Sequence, residues 1–291
     1  MNKSLRYALV TPARDEAENL RRLARCLAAQ TVLPTAWIIV DNGSTDETPA
    51  LVRELANELP WLRPHTTAGA ASTYRGAPVV RAFQAGLDVL AEPPDIVVKL
   101  DADISVDRLY FERLLAAFAA DPALGIASGT AYELERGVWR QRHMTGSTVW
   151  GAARAYRWDC LQAILPLEAR MGWDGIDALK ANMNGWQTRT LVDLPFRHHR
   201  LEGERDGARR HAWAAQGRAA YYMGYRGSYL VLRAFRYVPR EPAALAMIGA
   251  YARAALAREP RCPDATVRRY LRGQQRARNL PLRMLEALGR R

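Results

Sequence analysis

Ile96-Val97-Val98-Lys99-Leu100-Asp101-Ala102-Asp103 is a short run that reads as a buried strand and ends in two acids. Two earlier stretches repeat its form. Tyr7 to Thr11 leads into Pro12-Ala13-Arg14-Asp15-Glu16, and Trp37 to Val40 leads into Asp41-Asn42-Gly43-Ser44-Thr45-Asp46. Helical patterns follow each one. Leu20, Leu23, Ala24 and Leu27 recur at i, i+3, i+4 and i+7, while Leu51, Val52, Leu55 and Leu59 share one face, as do Phe111, Leu114, Leu115 and Phe118. Asp15 with Glu18 reads as a helix N-terminal signature, and Ser44 with Glu47 as a capping box. Alternating strands and helices predict an α/β fold, a sandwich with a mostly parallel central sheet. In such folds ligands bind beyond the carboxyl ends of the strands, so the three polar clusters are expected on one edge. No GxGxxG or GxxxxGK[ST] follows any of these strands, which speaks against a dinucleotide fold or a P-loop.

Composition bounds the rest. The chain has 291 residues, 49% hydrophobic and 25% charged, values of a globular protein and not of a disordered or collagen-like one. Cys26, Cys160 and Cys262 lie far apart, so neither a disulfide framework nor a zinc site is expected, and a reducing compartment such as the cytoplasm fits. The apolar run near the N-terminus is too short for a signal-peptide core. Ala243 to Ala257, the longest weakly polar stretch, has 15 residues and contains Arg253, too short and too charged to span a bilayer. Residues 1–200 carry 23 basic and 23 acidic residues, whereas residues 201–291 carry 19 arginines, no lysine and 7 acids. The whole net charge of +12 therefore lies in the last third. A neutral body, 1–200, with a helical basic C-terminal region, 201–291, predicts a second role toward an anionic partner.

In an extended segment Asp101 and Asp103 would share one side, with Ala102 on the other. Two carboxylates at a strand end suit a hard divalent cation, Mg2+ or Mn2+, which could bridge the phosphates of a nucleotide. A solvated turn is the plainer alternative. The ordered set PARDEAENL, VDNGSTDET and KLDAD, each after a strand, resembles the GT-A fold of the family-two glycosyltransferases. That resemblance implies that Pro12 and Glu16 line a nucleoside pocket. It implies that Asp41, with Asn42 beside it, takes hydrogen bonds from the base or ribose. Asp101 and Asp103 would manage the metal and the diphosphate. The family's NxGxxxAxNxG helix is replaced by Tyr74 to Gly86, where Arg75 or Arg81 could reach the donor phosphates. Ser44 keeps its competing role as a helix cap, and Asp46 reads as a first-turn acid.

The same resemblance places an acid at the start of a later helix, eleven residues before a glycine, with a histidine thirteen residues beyond it. Asp174, Gly185 and His198 have these separations, whereas Asp177 precedes Gly185 by 8. Asp174 is thus implied as the general base and His198 as a metal or diphosphate ligand, with Asp177 and His199 as competitors. The implied reaction is inverting, metal-dependent transfer from a nucleoside-diphosphate sugar, UDP-linked first, to a glycan or polyprenyl-linked acceptor. A processive synthase is disfavoured, because QxxRW is absent. A sugar nucleotidyltransferase would need a glycine-rich loop where Thr11 to Glu16 stands.

The last third interleaves Trp213, Tyr221, Tyr222, Tyr225 and Tyr229 with arginines. Arg226, Arg233 and Arg236 fall on one helical stripe, and Arg268, Arg272 and Arg276 recur every four residues. Such helices suit an anionic membrane surface, giving peripheral attachment, or else pack on the core with a solvated basic face. Nucleic-acid binding ranks last, since no recognised motif supports it. Acceptor choice is expected in loops such as Arg136 to Met144.

Overall fold

The computed structural model describes residues 4–69, 76–135, 137–142, 149–200, 209–239 and 241–279. Its strands are β1 (Tyr7–Ala13), β2 (Ala36–Asp41), β3 (Leu62–Thr66), β4 (Ile96–Leu100), β5 (Ile104–Val106), β6 (Leu124–Glu135), β7 (Val138–Gln141), β8 (Ala153–Arg157) and β9 (Gln187–His198). They form one nine-stranded sheet in the order β3-β2-β1-β4-β8-β6-β9-β5, with β7 paired to β6. The block β3-β2-β1-β4 is parallel throughout, with Val10 level with Ile38 on one side and with Lys99 on the other. Beyond it β8 runs antiparallel to β4 and β6, and β9 runs parallel to β6. The fold is a GT-A-like α/β sandwich with a mostly parallel central sheet and a C-terminal helical region.

Period-two alternation assigns each strand residue to a face. Leu9, Trp37, Ile39, Ile96 and Val98 join one core with α1 (Ala17–Ala28), α2 (Thr48–Glu58) and α4 (Tyr110–Ala120). Val10, Ile38, Val40 and Val97 join the other, with α3 (Ala77–Asp88), α5 (Trp158–Ile164) and α6 (Trp173–Met183). Strands covered on both faces read as continuous apolar runs, which is why these three were visible without alternation.

Two capping expectations are corrected. Helix α1 begins after Glu16 without a side-chain cap, and α2 begins after Glu47, also without one. Asp15 and Ser44 instead reach across to each other's loops. The Ser44 hydroxyl accepts the Asp15 backbone N–H at 2.9 Å, and Asp15 Oδ1 accepts the N–H groups of Thr45 and Asp46 at 2.7 and 3.2 Å. The tertiary partner wins because the two loops leave adjacent parallel strands at the same edge. Asp46 does serve the α2 terminus, accepting the Thr48 N–H at 2.9 Å.

Four further helices follow: α7 (Arg209–Met223), α8 (Gly227–Tyr237), α9 (Ala246–Leu256) and α10 (Ala265–Gln274), the last capped by Asp264. Helices α7 and α10 pack on α6 through Ile176, Tyr222, Met223, Cys262, Val267 and Leu271, while Leu230 of α8 and Met247 of α9 join Ala220 of α7. Several arginines expected as solvated stripes turn toward backbone carbonyls of neighbouring segments. Arg226 donates to Arg272 O at 2.8 Å, Arg272 to Gly224 O at 3.1 Å, and Arg268 to Cys262 O. Arg233 donates to Gln216 at 3.2 Å. No helix among the described residues is long and apolar enough to cross a membrane.

Helices α7 and α9 touch backbone to backbone at Gly217, where an added Cβ would lie 2.2 Å from Met247 O. Gly217→Ala must therefore part the two helices, and an overpacking loss of about 1–3 kcal/mol is expected. Gly175→Ala, which meets only the mobile end of Met223, is the milder control. Urea unfolding of both variants checks the ranking.

Candidate active site

Because β1, β2 and β4 are parallel, Ala13, Asp41 and Leu100 end at one edge, and the three polar clusters meet there. Glu16 is buried, and both its oxygens are held by Arg200 at 2.9 Å each, with Asn19 donating at 2.6 Å. Pro12, half-buried on β1, lies opposite Val40. Asp41 is buried and accepts from the Ser44 backbone N–H at 3.1 Å and from the Ser44 hydroxyl at 2.5 Å. Asn42 Oδ1 accepts from Thr67 at 3.0 Å. Asn42 and Arg81 line one open cleft with Thr67, Gly69 and Pro78, so two residues read from separate motifs share a wall. Arg75 lies outside the described residues, as do Arg136, His143 and Met144 of the expected acceptor loop, in which Val138–Gln141 forms β7.

Asp101 to Asp103 is a turn and not the extended segment expected, with Ala102 buried in the core beneath it. Cations already face both acids. Lys99 Nζ lies 2.5 Å from Asp101 Oδ1 and donates to Gly151 O at 2.9 Å. Arg200 lies 3.4 Å from Asp103 Oδ2, and His198 Nε2 lies 3.4 Å from Asp103 Oδ1. On its other side His198 Nδ1 is 3.4 Å from buried Glu133, which Arg142 approaches at 3.1 Å. Burial lifts the Asp101 carboxyl above the ordinary range, and Lys99 offsets that only in part. At Asp103 burial acts the same way but loses to the hydrogen bond and charge of His198 and the charge of Arg200, so its pKa falls. Burial disfavours the His198 cation, yet its bonds to Asp103 and Glu133 prevail and raise its pKa to about 10. His199 points elsewhere, with Nε2 2.7 Å from the Ser105 hydroxyl and its ring edge-on to Trp139.

Among the described residues no group of three or more His, Cys, Asp or Glu side chains is arranged to hold a metal ion. Asp101, Asp103 and His198, at the ends of β4 and β9, carry the oxygen and nitrogen donors that Mg2+ or Mn2+ takes, but they face Lys99, Arg200 and Glu133 and not one common point. To act as a ligand, His198 would release the proton it shares with Asp103.

Helix α6 carries the other acids. Asp177 is buried, and its carboxylate receives Arg154 Nη2 at 2.6 Å, Arg154 Nε at 3.2 Å and the Tyr156 hydroxyl at 2.5 Å. Burial pushes Asp177 up to about 6 against the pull of Arg154. Asp174, one turn earlier, is half-buried, and its Oδ1 accepts the Gly175 N–H at 3.0 Å. Its Oδ2 faces Gly151, the residue whose carbonyl holds Lys99. Arg154 Nη2 also donates to the Asp174 carbonyl at 2.8 Å, and Nη1 to Val149 O at 2.6 Å.

Sequence reasoning missed Lys99, Glu133, Arg154 and Arg200. Lys99 is a single charge inside an apolar strand, and Arg154 stands between Ala153 and Ala155 of β8, a signal of buried pairing that could have been read. Arg200 and Glu133 carried no such mark.

Residues 8–173 match the family model described as glycosyl transferase family 2. No curated protein matches the chain. Solved structures do. A mannosyltransferase from Pyrobaculum calidifontis, in complex with GDP-Man and Mn2+, is 17% identical over 98% of this chain and 85% of its own, with a TM-score of 0.59. S. aureus TarS 1-349 in complex with UDP-GlcNAc is 16% identical over 96% of this chain and 92% of its own, with a TM-score of 0.59. GalNAc-T7 with UDP, GalNAc and Mn2+ is 12% identical over 94% of this chain and 55% of its own, with a TM-score of 0.63. At these identities the likeness is one of fold.

Proposed function

The chain belongs to glycosyl transferase family 2, whose members move a sugar from a nucleotide-sugar to an acceptor, and from that membership we propose an inverting, metal-assisted reaction centred on Asp101, Asp103 and Asp174. The observation that carries it is the meeting of Glu16, Arg200, Asp103 and His198 at the carboxyl edge of β1 and β4, beside the Asn42–Arg81 cleft. Asp41 and Asn42 hold the nucleoside, with Pro12 and Glu16 shaping the pocket floor. Arg81 stands by the phosphates, as does Arg75 by sequence. Asp101, Asp103 and His198 would hold Mg2+ or Mn2+. Bound there, the cation neutralises charge on the departing nucleoside diphosphate.

An acceptor hydroxyl is a poor nucleophile at neutral pH, so a carboxylate must take its proton during attack. Asp177 is spent on Arg154 and Tyr156, which favours Asp174. One base and direct displacement give inversion at the anomeric carbon. UDP is the proposed nucleotide, in keeping with the TarS and GalNAc-T7 complexes, with GDP and dTDP as the alternatives. The acceptor is a glycan or a polyprenyl-linked glycan, reached from the cytoplasm at an anionic membrane surface by residues 201–291.

Calorimetric titration with UDP, GDP and dTDP, with and without Mn2+, tests the site. Asp103→Ala is expected to lose more of the Mn2+-dependent affinity than the roughly 10–100-fold that outer-shell changes cost. Equal Mn2+-dependent binding by wild type and Asp103→Ala would place the nucleotide elsewhere.

A further inference from the structure

Helix α8 is apolar on both sides. Leu230 and Ala234 are buried against the helices beneath. The opposite arc carries Val231, Leu232 at 54% exposure and Phe235 at 58%, beside Ser228 and Arg236. Three large apolar side chains exposed together on one arc of a surface helix mark a contact surface, so this outer arc calls for an occupant. The neighbouring α9 repeats the pattern. Met247 packs inward with Leu230 and Ala220 of α7. Outward stand Leu245 at 48% exposure, Gly249, Ala252 and Leu256 at 87%, with Arg253 and Arg258 alongside. Helix α9 rests on α7, and α8 packs against α9 and the Pro242–Leu245 turn, with Arg233 and Tyr237 reaching Gln216 and Trp213 of α7.

Charge selects among occupants. From position 209 to 259 the chain has nine arginines and two acids, Glu241 and Glu259, the second paired with Arg218 at 3.0 Å. A second copy meeting this face across a two-fold axis would oppose like charges. The outer arcs set Leu, Val and Phe beside arginines, Arg236, Arg253 and Arg258. That combination matches a fluid, anionic and apolar surface, in which side chains sink to the headgroup boundary while arginines meet phosphates.

We propose that the outer face of α8, with that of α9 beside it, is a membrane-docking surface that inserts Leu232 and Phe235 among anionic phospholipids. The proposal rests on the peripheral-attachment reading above and adds the face and the apolar insertion. It also relocates the contact. Arg226, Arg268 and Arg272, counted from sequence as part of the basic surface, are held by backbone carbonyls.

The test is co-sedimentation of the full chain with phosphatidylglycerol-containing and pure phosphatidylcholine vesicles, without nucleotide, at low and high salt. Reading it without nucleotide keeps its outcome separate from the donor-site proposal. Wild type is expected to bind only the anionic vesicles. Leu232→Ser with Phe235→Ser is expected to bind about tenfold or more weakly, with unchanged unfolding temperature and unchanged nucleotide affinity. Absence of wild-type binding at low salt overturns the proposal. So does equal binding by the variant, since the arginines alone would then carry it. A doubling of solution mass that the variant abolishes assigns the face to self-association and overturns it too, as does binding of soluble poly-glutamate as tight as that of vesicles.

Discussion

Asp174→Asn is expected to reduce sugar transfer by about 10²–10⁴-fold, the range set by loss of a positioned general base, while nucleotide affinity stays at the wild-type value. The amide preserves size and the backbone geometry at the start of α6, where Arg154 holds the Asp174 carbonyl at 2.8 Å. It cannot accept the acceptor's proton. Asp177→Asn is the informative partner variant, because its side chain bonds two groups of β8 and is buried. It should weaken the fold first and lose transfer only in proportion to the folded fraction. Steady-state rates together with calorimetric nucleotide binding separate the two. Normal transfer by Asp174→Asn with none by folded Asp177→Asn would assign the base to Asp177 instead.

Arg154→Met should be the most destabilising single change in the molecule. The guanidinium is fully buried and donates to Asp177, to Asp174 O and to Val149 O. Removing it leaves the Asp177 carboxylate buried beside Tyr156 alone, and breaking a buried pair in this way costs about 3–5 kcal/mol. The double change Arg154→Met with Asp177→Leu removes both charges and should recover much of that loss. Urea unfolding of the two single variants and the double completes the cycle. A single variant within about 1 kcal/mol of wild type, the range of an exposed pair, would show that the pair adds little.

The parallel block was legible because its strands are covered on both faces and so appear as apolar runs between turn clusters. The convergence of those clusters followed from topology alone. Local rules failed where a tertiary partner outbid a local one. Local spacing marks Ser44 as a cap for α2, but the Asp15 N–H arrives from the adjacent loop and takes its hydroxyl. Asp101 and Asp103 were read as extended, yet burial of Ala102 under the turn sets the backbone there. Arg200, the last residue of the neutral body, joins Glu16 to Asp103 across 184 and 97 positions of sequence. No local pattern encodes a pairing of that range. Spacing leaves His198 and His199 open; in the structure His198, the last residue of β9, faces Asp103, while His199, just beyond the strand, faces Ser105.

The central claim is that this edge of the sheet binds and cleaves a nucleotide-sugar. Its most direct measurement is nucleotide release from UDP-, GDP- and dTDP-sugars by the full chain with Mn2+ or Mg2+, alongside direct binding of each free nucleotide. The account predicts metal-dependent release from one donor, UDP-linked first, lost in both Asp103→Ala and Asp174→Asn while only Asp103→Ala also loses metal-dependent nucleotide binding. Neither release nor binding with any of the three nucleotides would contradict it.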